Sequence, residues 1–382
     1  MTFVTQLAPI AFWICALVVA YSYFGYPLLM RVLARVQPRP VRKGWIEPSV
    51  AFIIAAYNEE KTIADKLENT LALLWPREKL DIIVIADGST DQTVRIAESY
   101  RERGVRVLYK PARQGKTQAL NRAAAETNSD ILFFSDANTF YRPNTVRLMI
   151  RNFADPEVGG VSGRKIVLAD NNREASKGET AYWDYESRLK QAESAVGSIV
   201  TADGEIFAVR RNLFHPIPRP IVHDDMYLTM QLVSAGYRVV YEPEATSAEF
   251  ASHTLKDEFH LKVRYASAGF QIVSCFKQLL LDPRRWFAWQ FFSHKLTRWL
   301  IPFFILGVFL SSAVLNDLFY RVAFWAQVLF YLLAVVGSAL PKKRAGLVYF
   351  PWYFSVMNTA ALYGCARYLT IGQSPQWRKA QR

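Results

Sequence analysis

Four apolar runs of this 382-residue chain end in residues able to do chemistry. They stop at Tyr57-Asn58-Glu59, at Asp87-Gly88, at Asp136-Ala137-Asn138 and, after Ile221-Val222, at the pair Asp224-Asp225. A lone Asp behind a strand commonly forms a turn or caps a helix. Several such ends on one sheet edge point instead to a binding site, because open α/β sheets take ligands outside the carboxyl ends of their strands. Arg113 and Lys116 add positive charge to the set. Strand-end carboxylates with an Arg and a Lys suit a nucleotide diphosphate bound with a divalent ion, since hard cations draw oxygens from one or two carboxylates and from the phosphates. Other phosphate patterns fail: no GxGxxG is present, and Gly115-Lys116-Thr117 has Lys110 where a P-loop needs its first glycine. Cys15, Cys275 and Cys365 form no CxxC pair, and the five His show no zinc spacing, which excludes a disulfide scaffold and a zinc centre.

The elements that must position these residues are legible around them. Val50–Ala56, Ile82–Ala86, Val105–Tyr109 and Ile131–Ser135 read as buried strands. Helical stretches lie between them, from Ile63, from the Asp87-Gly88-Ser89-Thr90 turn to Arg103, and over Lys116–Glu126. Alternating strand and helix gives a doubly wound α/β sheet, which loosens beyond Tyr141 into helices and shorter strands. Asp224 and Asp225 precede Met226, Leu228, Met230 and Leu232, a helix-like run. Neighbouring side chains do not face the same way, so one carboxylate is expected to cap that helix while the other enters the site.

Composition places part of the chain in a bilayer. It is 51% hydrophobic and 21% charged, against about 25% charged in ordinary soluble domains. From Met1 to Met30 there is no charged residue, and Pro9–Met30 alone supplies the roughly 20 apolar residues of a spanning helix. Arg31, Arg35, Arg39, Arg42 and Lys43 follow it, which predicts a signal anchor with its N-terminus outside and the following residues cytoplasmic. Trp299–Asn316, Val322–Pro341 and Ala345–Ala366 are three further candidates, with Lys342, Lys343 and Arg344 marking a cytoplasmic turn. Alternation then puts the C-terminus outside, whereas Arg367, Arg378, Lys379 and Arg382 favour inside. A re-entrant last segment, helped by Pro351, Asn358 and Gly364, would reconcile the two, and the sequence leaves the side of the C-terminus open. Before these runs, Phe259, Val263, Ala266, Phe270, Val273, Phe276 and Leu280 form one helical apolar face rimmed by Lys262, Arg264, Lys277, Trp286 and Trp289. Such a face is expected in the membrane interface plane. Four regions result: an anchor and linker at 1–43, a soluble domain at 44–256, an interfacial segment at 257–298 and a membrane region at 299–382. The net charge of +13 suits anionic partners. Much of it flanks membrane segments, so leaflet phosphates account for it and nucleic acid is not implied.

The ordered set Tyr57-Asn58-Glu59-Glu60, Asp87-Gly88-Ser89-Thr90-Asp91, Arg113-Gln114-Gly115-Lys116 with Ala119-Leu120-Asn121, Asp136-Ala137-Asn138 and His223-Asp224-Asp225 resembles glycosyltransferase family 2. The likeness covers roughly residues 45 to 300 and is closest to the membrane-embedded inverting transferases that include cellulose, hyaluronan and exopolysaccharide synthases. It implies a GT-A-like cytoplasmic domain in the inner (plasma) membrane, a nucleotide-sugar donor such as a UDP-sugar, and a growing polysaccharide or polyprenyl-linked sugar as acceptor. By that resemblance Tyr57, Asn58, Glu59, Asp87 and Gly88 bind the nucleoside. Lys116, Asp136 and Arg264 lie at the diphosphate, and Asp136 with Asn138 holds Mg²⁺ or Mn²⁺. Asn138 stands where the family's DxD segment ends in Asp, so its ligand brings no charge. Gly204 and Tyr265 lie on the acceptor side, as do Arg210-Arg211, and Asp225 is the catalytic base with Asp224 in support. The QxxRW motif of processive synthases reads Leu261-Lys262-Val263-Arg264-Tyr265 here, which retains the Arg and opens single-sugar transfer as a competitor of polymer synthesis. A catalytically impaired nucleotide-binding membrane scaffold is the alternative from another class, favoured only by Asn138 and the missing Trp.

Overall fold

A computed structural model describes residues 3–168, 176–250, 254–282, 285–340 and 346–370. Lys342, Lys343, Arg344, Arg378, Lys379 and Arg382, on which the expected orientation of the last segment turns, lie outside the described residues.

One long helix opens the chain: α1 (Phe3–Ala20) passes through a π turn at Tyr21–Gly25 into α2 (Tyr26–Val36). The soluble domain then alternates β1 (Val50–Ala56), α3 (Ile63–Leu71), β2 (Leu80–Asp87), α4 (Thr93–Glu98), β3 (Val105–Lys110), α5 (Lys116–Ala125) and β4 (Ile131–Asp136). After it come β5 (Phe140–Tyr141), α6 (Thr145–Ile150), β6 (Val158–Leu168), α7 (Ser176–Val196), β7 (Phe207–Arg210), α8 (Asp224–Ser234) and β8 (Arg238–Phe250). All eight strands form one sheet of order β3-β2-β1-β4-β7-β6-β8-β5, with β1 to β4 parallel and β7 antiparallel to both neighbours.

The parallel core explains why β1 reads as VAFIIAA: helices cover both of its faces, so no polar alternation survives. One face packs Ile53, Phe134 and Leu120 against Met230 of α8, and the other packs Phe52, Ile54 and Phe133 against Leu67 of α3 and Met149 of α6. Register brings the strand ends level. Ala56 pairs with Ala86 and Ala55 with Asp136, so Tyr57, Asp87 and Asp136 emerge at one edge. Beyond Tyr141 the expectation of shorter strands is corrected. β6 and β8 are 11 and 13 residues long, paired in parallel with irregularities at Val158/Gly160 and Gly163/Arg164. Those bulges break the period-2 pattern that would have announced the strands.

Among the described residues three helices are long and apolar enough to cross a membrane: Gln6–Val36, Trp286–Val314 and Leu318–Ala339. The second comprises α11 (Trp286–Phe291), a π turn and α12 (Thr297–Val314), and the third is α13 (Leu318–Ala339). Residues 349–370 form a continuous helix, α14 (Tyr349–Thr370), unbroken at Asn358 and Gly364, where a re-entrant turn was one of the alternatives.

The apolar face expected at the interface is also revised. It belongs to α9 (Leu255–Cys275) and the short α10 (Lys277–Leu280), and α14 covers it. Phe259 faces Tyr363 and Phe270 faces Tyr368 across that contact, while Trp299 of α12 closes over Phe270 at 5.5 Å. Gly364 lets the helices approach, since a Cβ there would lie 2.6 Å from that of Ala266. An amphipathic period says that a face is buried, not against what.

A buried polar cluster ties the apolar helices to the sheet domain. The Tyr26 O–H donates to Glu193 Oε1 at 2.6 Å, and His294 sets Nδ1 2.7 Å from Glu193 and Nε2 3.0 Å from Glu186, both on α7. Arg298 Nη1 reaches Glu186 Oε1 at 2.5 Å. Every charge in it is met, as burial requires.

Candidate active site

At the level strand ends a cleft of about 220 Å³ is lined by Tyr57, Glu59, Asp87, Lys116, Asp136, Asn138, Gly204, Asp224, Asp225, Arg264 and Tyr265. All of these are residues singled out from the sequence. Asn58 and Gly88 do not line it. Both have left-handed backbones (φ 52° and 72°) and shape the loops behind it. Asn58 Oδ1 accepts the Thr90 N–H at 2.8 Å, joining the two strand-end loops, and a Cβ at Gly88 would lie 2.7 Å from that of Arg113.

Asp87 is 4% exposed and largely committed to the protein. Its Oδ2 accepts the Gln114 and Gly115 N–H groups at 2.8 and 2.6 Å, and its Oδ1 meets Arg122 Nη2 at 2.9 Å. The loop that launches α5 is therefore pinned to β2, and Lys116 at the helix start is aimed across the cleft. Its Nζ stands 2.7 Å from Asp136 Oδ1 and 3.6 Å from Asp224 Oδ2. Burial opposes the ammonium, yet the two carboxylates outweigh it and hold Lys116 charged far into alkaline pH. Arg113 lays its guanidinium 3.8 Å from the Tyr57 ring centroid, presenting a cation and an aromatic at the mouth.

The Asp pair departs from the expected division of labour. Both line the cleft, and neither caps α8, whose N-cap is His223 with no side-chain bond. Asp225 Oδ2 accepts the Gly204 N–H at 2.9 Å, and Oδ1 accepts its neighbour Met226 N–H at 2.7 Å and lies 2.9 Å from His223 Nδ1. Burial would raise its pKa, but His223 and Lys116 reverse that and keep the carboxyl well below the usual range. Asp224, more dominated by burial and by the charge of Asp225, is raised instead. Two adjacent carboxylates thus have opposite proton affinities.

A second cavity of about 600 Å³ adjoins the cleft. Lys165, Glu205, His223, Asp225 and Tyr265 line both, so Asp225 stands where the two meet. The cavity lies among α7, α9, the start of α12 and α14, walled by rings such as Tyr182, Trp183, Tyr353 and Phe354. On α9, Leu261, Arg264 and Tyr265 face the cleft while Lys262 faces the cavity, and Tyr265 packs edge-on against His223 at 5.3 Å. Arg210 is not at either: it donates to the Val158 and Phe153 carbonyls at 2.8 and 2.7 Å and locks β7 to its neighbours.

Sequence reasoning named His223 without a role and passed over Lys165, Glu205 and Lys66. Lys66 is fully buried under the Asp136-Ala137-Asn138 turn, donates to the Thr139 carbonyl at 2.6 Å, and is pushed well below its usual pKa by burial. A lysine on an amphipathic helix gives no signal of such burial. Glu205 follows Gly204, which the sequence singled out, and that adjacency was the available signal.

Among the described residues no group of three or more His, Cys, Asp or Glu side chains could hold a metal by itself. At the strand end expected to hold a cation, the cleft offers the carboxylate of Asp136 and the amide of Asn138. That donor set fits a hard cation only when diphosphate oxygens and water complete its shell.

The architecture is that of a parallel-cored α/β domain with its cleft at the strand ends, joined to helices apolar enough for a bilayer. Its fold matches the mannosyltransferase PcManGT from Pyrobaculum calidifontis, solved with GDP-Man and Mn²⁺, at TM-score 0.72 and 22% identity over 94% of this chain and 99% of that one. In sequence it is 28% identical over 232 residues to the poly-β-1,6-N-acetyl-D-glucosamine synthase of Staphylococcus aureus, covering 59% of this chain. It spans about half, 55%, of the length of that synthase. The probable glycosyltransferase YdaM of Bacillus subtilis is 26% identical over 88% of this chain and 87% of its own. Residues 51–217 match the model of Glycosyl transferase family 2.

Proposed function

We propose that this chain is a membrane-bound inverting transferase that moves a sugar from a nucleotide-sugar donor to a growing polysaccharide or lipid-linked sugar in cell-surface or exopolysaccharide synthesis. The observation that carries the reading is the ionised Asp225 carboxylate at the junction of cleft and cavity. One displacement with inversion needs donor and acceptor on opposite sides of the anomeric carbon and a base beside the acceptor oxygen. As the acceptor oxygen bonds to that carbon, the carbon–oxygen bond to the diphosphate breaks, the nucleoside diphosphate leaves, and the hydroxyl proton passes to Asp225. Asp224, held against Lys116, supports the site's charge balance. Tyr57, Glu59 and Asp87, shaped by Asn58 and Gly88, take the nucleoside end. Lys116, Asp136 and Arg264 take the diphosphate, a guanidinium being suited to bidentate phosphate contact. Gly204 and Tyr265 face the acceptor.

Asp136 and Asn138 would hold Mg²⁺ or Mn²⁺ together with the diphosphate. Such an ion would supply charge neutralisation on the leaving group. The name of the Staphylococcus aureus synthase supports a polysaccharide product, and the donor is read as a UDP-sugar. The basic run Arg31–Lys43 behind the first apolar helix supports a cytoplasmic domain at the inner membrane, with regions bounded near 43, 256 and 298. Purified full-length protein should release nucleoside diphosphate from a UDP-sugar panel and form a glycoside of inverted anomeric configuration by NMR. A retained configuration, or no release from any nucleotide sugar, would refute the reading.

A further inference from the structure

Strands β4 and β7 run paired as far as Phe134 and Phe207, and past that pair they part like a fork. One arm carries Asp136 and Asn138. The other carries Gly204, whose N–H holds Asp225 Oδ2 at 2.9 Å. Groups that must act together in one displacement therefore sit beyond the ladder that joins their strands.

Tyr141 fills the fork from the interior, where it is buried. Its hydroxyl donates to Ser135 Oγ at 2.7 Å and to the Glu205 carbonyl, one contact on each arm, and lies 3.3 Å from Thr139 Oγ1. Burial keeps that hydroxyl protonated far above its ordinary range, so it stays a donor. The ring is wedged edge-on against Phe52 and Phe133 at 5.7 and 5.9 Å, which fixes where the hydroxyl points.

Helix α3 seats this bridge. Lys66 and Asn69, three apart, share a helix face. Asn69 exchanges two bonds of 2.9 Å with the Tyr141 main chain. Lys66 Nζ donates to the Thr139 carbonyl at 2.6 Å and stands 4.1 Å from the Tyr141 ring centroid. Thr139 Oγ1 in turn donates to the Asp136 carbonyl at 2.9 Å, closing the turn that presents Asp136 and Asn138. Burying an amine is costly where an apolar side chain would pack as well, which singles out the bonds that Lys66 makes.

We infer that Tyr141 is a positioning residue whose hydroxyl fixes the strand end carrying Asp136 and Asn138 against the loop whose Gly204 holds Asp225, with Lys66 seating the turn beneath. The inference rests on the transferase reading and adds the residues that set the two reacting centres relative to one another. Neither side chain touches the reacting atoms. They act through Asp136 and Asp225.

The test uses full-length protein in detergent, with UDP and GDP as nucleotide probes and UDP-N-acetylglucosamine, UDP-glucose and GDP-mannose as donors. Tyr141→Phe keeps the ring and removes the bridge. Its kcat for nucleoside diphosphate release should fall about tenfold with KM for the donor unchanged, as when reacting groups are misplaced and donor binding is kept. Hydrogen exchange reads the same coupling without chemistry. Nucleotide with Mn²⁺ should slow exchange over residues 203–206 in the wild type but not in Tyr141→Phe, while residues 136–139 are protected in both. Lys66→Met fills the same space without an N–H. It should weaken nucleotide binding about tenfold by calorimetry with Mn²⁺ present and leave it unchanged in EDTA, which also reports that the variant folds. The inference is overturned if Tyr141→Phe keeps the wild-type kcat, if it still passes protection to residues 203–206, if its loss lies in KM, or if Lys66→Met behaves alike with and without Mn²⁺. A wild-type protein that binds neither nucleotide would instead strike the transferase reading itself, and the inference with it.

Discussion

Lys116 in the cleft and Lys190 in the cavity behind it are both paired with aspartate, but water reaches only the first. Lys116 and Asp136 keep 18% and 33% of their side chains exposed, whereas Lys190 and Asp203 keep 2% and 5%. A half-solvated pair can open and re-pair with an incoming diphosphate at little cost, because each partner recovers water or a new counter-charge. A sealed pair cannot, since parting it leaves a bare charge in a low dielectric. Cleft charges are therefore reagents, and cavity charges are masonry. The two compartments differ in what they can answer: the cleft keeps charges free to move, and the cavity keeps them fixed.

The sharpest way to break this comparison is at the boundary. Asp225→Asn retains size and hydrogen bonding but not basicity, so transfer should fall about 10²–10⁴-fold, the usual share of general-base assistance, with nucleotide affinity nearly intact by calorimetry. Asp224→Asn should be milder; the reverse ranking would move the reacting centre towards Lys116. Next in size is exhaustive chelation, expected to suppress turnover by about two orders of magnitude or more, given the several kcal/mol a divalent ion contributes. Full activity in EDTA would show that Lys116 and Arg264 suffice at the diphosphate. Arg264→Lys comes third. An ammonium lacks the bidentate fork, so kcat/KM for the donor should drop about tenfold while the protein stays folded.

The smallest effect concerns stability. Burial, only partly offset by Lys165 and reinforced by Glu249, Asp203 and Asp136, pushes Glu205 up to about 7. An acid whose folded pKa is raised binds more protons in the native than in the unfolded state, so its contribution to stability declines as pH rises from the ordinary carboxylate range through 7. Glu205→Gln mimics the protonated form. Its Tm should exceed that of wild type by a few degrees at pH 8, an interval typical of about 1 kcal/mol, and converge with it near pH 5. A difference that does not depend on pH would show that Glu205 is ionised throughout.

The cleft was legible because parallel strands announce themselves as apolar runs and stop level with one another. Tyr57, Asp87 and Asp136 needed no tertiary information beyond that register. Asn58 was read as a ligand position and is instead a left-handed brace, a distinction made by φ rather than by residue type. The cavity was illegible for a different reason. Tyr182 and Trp183 come from α7 and Tyr353 from α14, some 170 positions later, and only the crossing of α14 over α9 brings them together. The face carrying Val263 and Ala266 would read the same against lipid as against a helix, and α14 decides it.

The cluster joining Tyr26 and His294 to Glu186 and Glu193 bears on how the molecule can be dissected. A fragment limited to residues 44–256 would keep the whole parallel core and the strand-end residues, yet it would leave both glutamates of α7 without Tyr26, His294, Lys295 or Arg298. Stranding a buried charge costs about 3–5 kcal/mol, a large part of the roughly 5–15 kcal/mol that holds a domain together. The two glutamates would then draw α7 out towards water, taking Tyr182 and Trp183 with it. Such a fragment is expected to keep the strand-end cleft and lose the cavity: half of the site travels with the sheet, and the other half with the apolar helices.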